Sequence, residues 1–164
     1  MFRVGLGFDN HRLVEGRALW LGGVEVPAPV GELAHSDGDV LLHALTDALL
    51  GAVGAGDIGE HFPDSDPRWK DQASSHFVRA AADMVRDRGY DLVNLDATVF
   101  LEAVKLAPFK QAIASNLRGL FEGHWALDPS AVNVKAKTLE RCDAVGAGEA
   151  VAAQVVVLLK KSTA

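Results

Sequence analysis

The stretch Asp39-Val40-Leu41-Leu42-His43-Ala44-Leu45-Thr46-Asp47-Ala48-Leu49 constrains this chain more than any other segment, because it is an apolar helix pattern that carries ionisable residues. The spacing predicts a helix over 39–53, with Leu41, Leu42, Leu45 and Leu49 supplying core contacts. Asp39, His43 and Asp47 then fall at i, i+4 and i+8 and form one polar stripe, about a turn apart at each step. A stripe of that chemistry suits a metal or a charged substrate.

Around this helix the pattern alternates between strand and helix. Residues 2–8 and 18–26 have β-branched and aromatic content separated by Glu15-Gly16 and Gly22-Gly23, and predict two or three strands. Ala28-Pro29-Val30-Gly31 reads as a loop, and residues 54–69, rich in Gly and Pro, read as a long irregular one. A second helix is expected over 74–88 and a third over 108–122, with strands at 91–101, 131–137 and 151–160. The expected fold is α/β of the α+β type: a single mixed β-sheet with helices packed on one face. At 164 residues, 49% hydrophobic and 23% charged, the chain is expected to form one soluble domain over 1–164.

The formal net charge of −6 argues against a broad nucleic-acid surface. The longest apolar stretch, 151–159, is interrupted by Gln154 and is far short of the roughly 20 residues that span a bilayer. Residues 1–7 lack the basic and apolar regions of a secretory signal, and Cys142 is the only cysteine, so a reducing, cytoplasmic setting is expected.

Asp9-Asn10-His11 follows the first strand, and in an extended segment Asp9 and His11 project to the same side. With His43 they make one carboxylate and two imidazoles, a donor set that suits zinc with an open fourth position. An isolated Asp at a strand end is more often a turn former. Asp47, one turn beyond His43, is either a solvated charge or an acceptor for a ligand imidazole. His35-Ser36 precedes the helix N-terminus, a favourable place for phosphate, although Ser36 and Asp37 are equally good caps. Asp57-Ile58-Gly59 and Phe62-Pro63-Asp64-Ser65-Asp66 offer carboxylates to hydroxyls or simply form turns. Glu140, in the polar tip after 133–137, can hold a hard cation such as magnesium.

Taken in order, Gly7-Phe8-Asp9-Asn10-His11, Ala34-His35-Ser36-Asp37-Gly38-Asp39, His43-Ala44-Leu45-Thr46-Asp47, Gly56-Asp57-Ile58-Gly59, Phe62-Pro63-Asp64-Ser65-Asp66-Pro67, Asn133-Val134-Lys135-Ala136 and Gly146-Ala147-Gly148-Glu149 resemble the 2-C-methyl-D-erythritol 2,4-cyclodiphosphate synthases of the non-mevalonate isoprenoid pathway. The resemblance covers nearly the whole chain. It implies that Asp9, His11 and His43 bind Zn2+ or another divalent transition metal, and that Glu140 binds Mg2+ or Mn2+ together with the substrate diphosphate. It implies that His35 and Thr138 are the catalytic pair, with Ser36 and Lys137 near phosphate and Asp47 behind the zinc ligands. Asp57, Ile58 and Gly59 would hold the methylerythritol part, under a loop formed by Phe62, Pro63, Asp64, Ser65 and Asp66. Leu101, Glu102, Ala103, Val104, Lys105, Leu106 and Ala107 would build the cytidine pocket of a neighbouring subunit in a homotrimer.

The implied substrate is a cytidine diphosphate-linked small molecule, 4-diphosphocytidyl-2-C-methyl-D-erythritol 2-phosphate, cyclised with release of CMP. No nucleic-acid or membrane partner is implied. This chain departs from the family pattern around Thr138, at Val104 where proline is frequent, at Ala144 where an aromatic is common, and at Ala147 where many members have arginine facing the trimer axis. Weak or no binding of an isoprenoid diphosphate in the trimer channel is the expectation from that last departure.

Overall fold

Strand β1 (Phe2–Glu15) is built on strict alternation, with Gly5, Gly7, Asp9 and His11 on one side and Val4, Leu6, Phe8 and Asn10 on the other. It is followed by β2 (Leu19–Leu21), β3 (Val24–Val26), β4 (Val30–Glu32), α1 (Val40–Ala52), α2 (Ile58–His61) and α3 (Ser74–Asp87). The second half contains β5 (Tyr90–Phe100), α4 (Lys110–Gly119), β6 (Val132–Lys137), α5 (Asp143–Gly146) and β7 (Ala150–Lys161). This computed structural model describes residues 1–34, 37–63, 65–69 and 72–163. The main sheet has the order β4-β1-β7-β5-β6, and β2 and β3 form a separate hairpin. All pairs in the main sheet are antiparallel except β5 with β6, and α4 lies in the crossover that such a parallel pair requires.

The mixed sheet matches the expectation, and α1, α3 and α4 pack on one face of it. Helix α1 is buried on nearly every side, between the sheet and α3. It can lie so close to β1 because the strand presents glycine there. A Cβ added to Gly7 would sit 1.9 Å from the Ala44 carbonyl oxygen, and one on Gly5 would sit 1.8 Å from that of Ala48. The contact places the His43 turn of α1 beside Asp9 and His11.

Three expectations change. The first strand does not end near Phe8: β7 continues opposite it as far as the Arg12–Ala150 pair, and β4 then pairs with Leu13–Glu15. That second pairing makes an edge strand of Val30–Glu32, where Pro29 and Gly31 had suggested only a loop. The stretch 54–69 contains α2 and a 3-10 turn over Pro67–Trp69, each with an Asp side chain accepting an early amide. The single turn α5 lies away from the other helices, with Val145 clustered against Ala150 and Ala152.

Asp39 caps α1, as its position allowed. Its carboxylate accepts the Leu42 amide at 3.0 Å, and it also accepts the Gly22 and Gly23 amides of the β2–β3 turn at 2.9 and 2.5 Å. Both glycines have positive φ, as a two-residue hairpin turn of this hand demands. Asp39 is fully buried, and burial pushes its carboxyl up to about 6 despite these donors. The opposite face of the sheet is apolar and uncovered at β1, where Phe2, Val4, Leu6 and Phe8 are each more than half exposed. No described helix is long and apolar enough to cross a membrane.

Candidate metal centre and cleft

Two imidazole nitrogens converge on one carboxylate oxygen. His11 Nε2 and His43 Nδ1 each lie 3.1 Å from Asp9 Oδ2, and one donor atom from each of the three residues falls within 4.8 Å of the others. The rings stand nearly perpendicular, with centroids 5.1 Å apart. The strand spacing of Asp9 and His11 and the helix position of His43 are what the sequence suggested. Two imidazole nitrogens and one carboxylate oxygen, all half-buried, fit a divalent transition metal.

The nitrogens turned away from this point are also held. His11 Nδ1 lies 2.7 Å from the Gly38 carbonyl oxygen and 3.5 Å from Glu32 Oε2. His43 Nε2 lies 2.9 Å from Ser74 Oγ. Ser74 in turn donates its hydroxyl to Asp37 Oδ1 in a short hydrogen bond and its amide to Asp37 Oδ2 at 3.1 Å.

The charges are strongly coupled. Burial works against ionisation of Asp9, but its bonds to His11 and His43 outweigh that and hold the carboxyl well below the usual range. Burial likewise opposes the His11 cation, yet Asp9 and Glu32 push it up to about 10. Glu32 is fully buried, and burial pushes it up to about 8, with the bond to His11 pulling the other way. Asp9 and Glu32 both favour positive charge at this point, which a bound cation would supply.

A cleft of about 690 Å³ opens from this centre, lined by Asp9, His11, His43, Ile58, Phe62 and Trp69 among others. Its aromatic wall is a cluster: Phe62 packs on Phe77 at 4.7 Å and edge-on to Trp69 at 5.2 Å. Gly59, Pro63 and Ser65 also line the cleft. Asp47 takes a different role from an acceptor behind His43: its Oδ1 accepts the Ile58 amide at 2.8 Å and so anchors α2 to α1. Burial raises its pKa.

Other expected site residues are distributed unevenly. Asp57 caps α2 through Glu60 N, and Asp66 is held by Arg68 at 2.6 Å, so both carboxylates are already engaged. Leu101 and Leu106 are core side chains, the intervening residues 102–104 are half-exposed, and Lys105 and Ala107 are exposed. Lys137, Thr138 and Glu140 are exposed at the end of β6, and Glu140 has φ of 52°. Asn10, Ala152, Phe100 and Lys137 pair in one row across the sheet, so this tip sits level with the Asp9–His11 pair but three strands away, about 14 Å at ordinary strand spacing. His35, Ser36 and Asp64 lie outside the described residues.

Sequence reasoning missed Glu32, Gly38 and Ser74 behind the two histidines. It also read Phe77 only as core, although it both packs inward and lines the cleft.

A mixed sheet with helices on one face, carrying a two-histidine, one-carboxylate centre in the lining of a cleft, defines an α/β protein with a three-ligand metal-type site. The chain belongs to the YgbB family, whose model matches residues 2–160. It is 53% identical to the chloroplastic 2-C-methyl-D-erythritol 2,4-cyclodiphosphate synthase of Oryza sativa subsp. japonica, over 98% of this chain and 70% of that one. It is 52% identical to the synthase of the same name from Geobacillus kaustophilus, over 99% of this chain and 100% of that one. A solved 2C-methyl-D-erythritol-2,4-cyclodiphosphate synthase in its CDP-bound form superposes with a TM-score of 0.87 at 45% identity, covering 96% of this chain and 100% of the other.

Proposed function

We propose that residues 1–164 act as one domain that converts 4-diphosphocytidyl-2-C-methyl-D-erythritol 2-phosphate to 2-C-methyl-D-erythritol 2,4-cyclodiphosphate and CMP, a step of isoprenoid precursor synthesis and formally a phosphorus-oxygen lyase reaction. The observation that carries this reading is the convergence of His11 and His43 on Asp9 in a cleft also lined by Ile58 and Gly59. Relatives over half identical bear the synthase name, and a solved relative was captured with CDP.

In the reaction a 2-phosphate oxygen bonds to the β-phosphorus while the bond from that phosphorus to its bridging oxygen breaks. CMP leaves with that oxygen. The attacking oxygen is already anionic, so no general base is needed and the protein's task is to fix geometry and offset charge. Asp9, His11 and His43 would hold zinc, and Glu140 would hold magnesium or manganese. These ions would supply the positive charge that an acidic chain lacks when it handles a polyanion. The first turn of α2, which Asp47 anchors by accepting the Ile58 amide, would place Ile58 and the Gly59 amide against the methylerythritol part, with Asp57 on its hydroxyls. His35 and Thr138 would steady the charge developing at phosphorus, with Ser36 and Lys137 on the flanking oxygens.

The three-strand separation of Thr138 and Glu140 from Asp9 favours a site completed by a second copy. The apolar β1 face, exposed at Phe2, Val4, Leu6 and Phe8, favours a homotrimer in which residues 101–107 of one subunit receive the cytidine bound at the next. Phosphorus NMR of the candidate substrate with divalent metal tests the proposal. A cyclic diphosphate plus CMP is expected; open-chain phosphates would instead indicate a phosphohydrolase, and unchanged substrate a catalytically silent binding module.

A further inference from the structure

We propose that Ser74 and Asp37 are positioning residues that fix the tautomer and orientation of His43 through a hydrogen-bonded relay. The inference rests on the metal-site reading above. Both Asp37 oxygens accept from Ser74, one from its amide and one from its hydroxyl, so Asp37 sets the direction of the chain. Ser74 must spend its single hydroxyl proton on Asp37 Oδ1, to which it is closely bonded. Its oxygen is then left to accept, and the group 2.9 Å away is His43 Nε2. The proton of His43 therefore resides on Nε2, and Nδ1, the nitrogen aimed at Asp9 Oδ2, presents its lone pair to the metal position.

The relay is built into the fold. Ser74 is fully buried at the first position of α3, where the preceding Ala73 supplies no side-chain cap. Asp37, from the segment before α1, accepts the Ser74 amide in its place, so one carboxylate both ties the α3 N-terminus to that segment and orders the hydroxyl. The adjacent Gly38 carbonyl accepts from His11 Nδ1 at 2.7 Å. Residues 37 and 38 thus set both imidazoles, one directly and one through Ser74. Gly38 has φ of +81°, and an added Cβ there would press against Glu32 and Ala34 at 3.0 and 3.2 Å. The segment can adopt this course because that residue is glycine.

The test compares Ser74→Ala and Asp37→Asn with wild type and with His43→Ala, by chelator competition for Zn2+ and by long-range 1H–15N NMR of the zinc-loaded protein. In Asp37→Asn the amide can donate to Ser74, reverse the relay and move the proton to Nδ1. Each relay variant is expected to weaken zinc binding 10- to 100-fold, the usual range for groups behind a metal ligand, and to abolish the protected His43 Nε2–H signal. A change in melting temperature alone would not remove that signal, which separates positioning from a purely structural role. If His43→Ala loses zinc while both relay variants keep affinity within about twofold of wild type and retain the Nε2–H signal, the relay is refuted and the metal site stands. If His43→Ala keeps its zinc, the metal-site reading fails first. Should Ser74→Ala not fold, Asp37→Asn and the wild-type spectrum decide the question, and a wild-type His43 bound through Nε2 overturns the relay.

Discussion

Replacing Gly7 with alanine should damage the metal centre without touching any of its ligands. The new Cβ would lie 1.9 Å from the Ala44 carbonyl oxygen and 2.7 Å from the Ala48 amide nitrogen, both backbone atoms of a helix with no free space to rotate into. Ordinary contact begins near 3.4 Å, so α1 and β1 must separate by about 1.5 Å at this point. Overpacking of this kind costs roughly 3 kcal/mol, the upper end of its usual range, because main chain and not a flexible side chain must yield. For a chain of this length that lowers the melting temperature by roughly 6–12 °C. His43 precedes Ala44 by one position on α1, and Asp9 follows Gly7 by two on β1. The same separation therefore opens the metal centre by several times the roughly 0.2 Å that a ligand distance tolerates. Calorimetric melting and zinc content after gel filtration measure the two effects. Gly51→Ala is the control: the site lies in α1 with nothing within 4 Å, and helix propensity predicts about 0.5–1 kcal/mol of stabilisation. A Gly7→Ala protein that melts within about 2 °C of wild type and retains its full zinc would refute the claim that this glycine contact sets the centre.

Two further outcomes are expected. The buried Asp39 carboxyl sits near 6 against an ordinary 3.8, so the fold holds its proton more tightly than the unfolded chain does. Its stabilising contribution is fully present only below pH 3.8 and is lost as pH rises through 6; urea unfolding of wild type against Asp39→Asn should show wild type losing about 2 kcal/mol relative to the variant between pH 4 and 7, and parallel curves would overturn the argument. Leu6→Glu places a charge in the exposed apolar stripe of β1 and should split the proposed homotrimer into monomers by sedimentation, whereas a variant that sediments as a trimer would show that this face is not the contact.

What was legible in the chain follows from how much of each feature is periodic. Helix α1 and strands β5, β6 and β7 announce themselves through repeated apolar spacing, and the Asp9, His11 and His43 set is readable because strand and helix periods each aim their residues in one direction. The length of β1 was not readable, since its second half, Asn10 to Glu15, does not alternate in hydrophobicity and is held by pairing with β7 and β4. Strand β4 is three residues long and begins beside a proline, so its backbone partners and not its composition make it a strand.

The groups behind the histidines were hidden for a different reason. A carbonyl such as that of Gly38 belongs to every residue and leaves no mark in a sequence, and Ser74 at a helix start is indistinguishable from an ordinary cap until its partner is known. Glu32 shows the same limit with the opposite appearance. It reads as a surface charge on a loop, yet it is fully buried with Oε2 accepting the Val40 amide at 3.2 Å and lying 3.5 Å from His11. Its other oxygen is buried without a partner among the described residues. Ionising a carboxyl so placed is costly unless positive charge is near, and the Asp9–His11–His43 centre is where that charge would be. The polar stripe on α1 thus resolves into three separate tasks. Asp39 fastens the helix start to the β2–β3 turn, His43 faces the metal position, and Asp47 holds the first turn of α2 over the cleft. Helical spacing revealed that these residues share a side, and only the neighbours packed against that side determined what each one does.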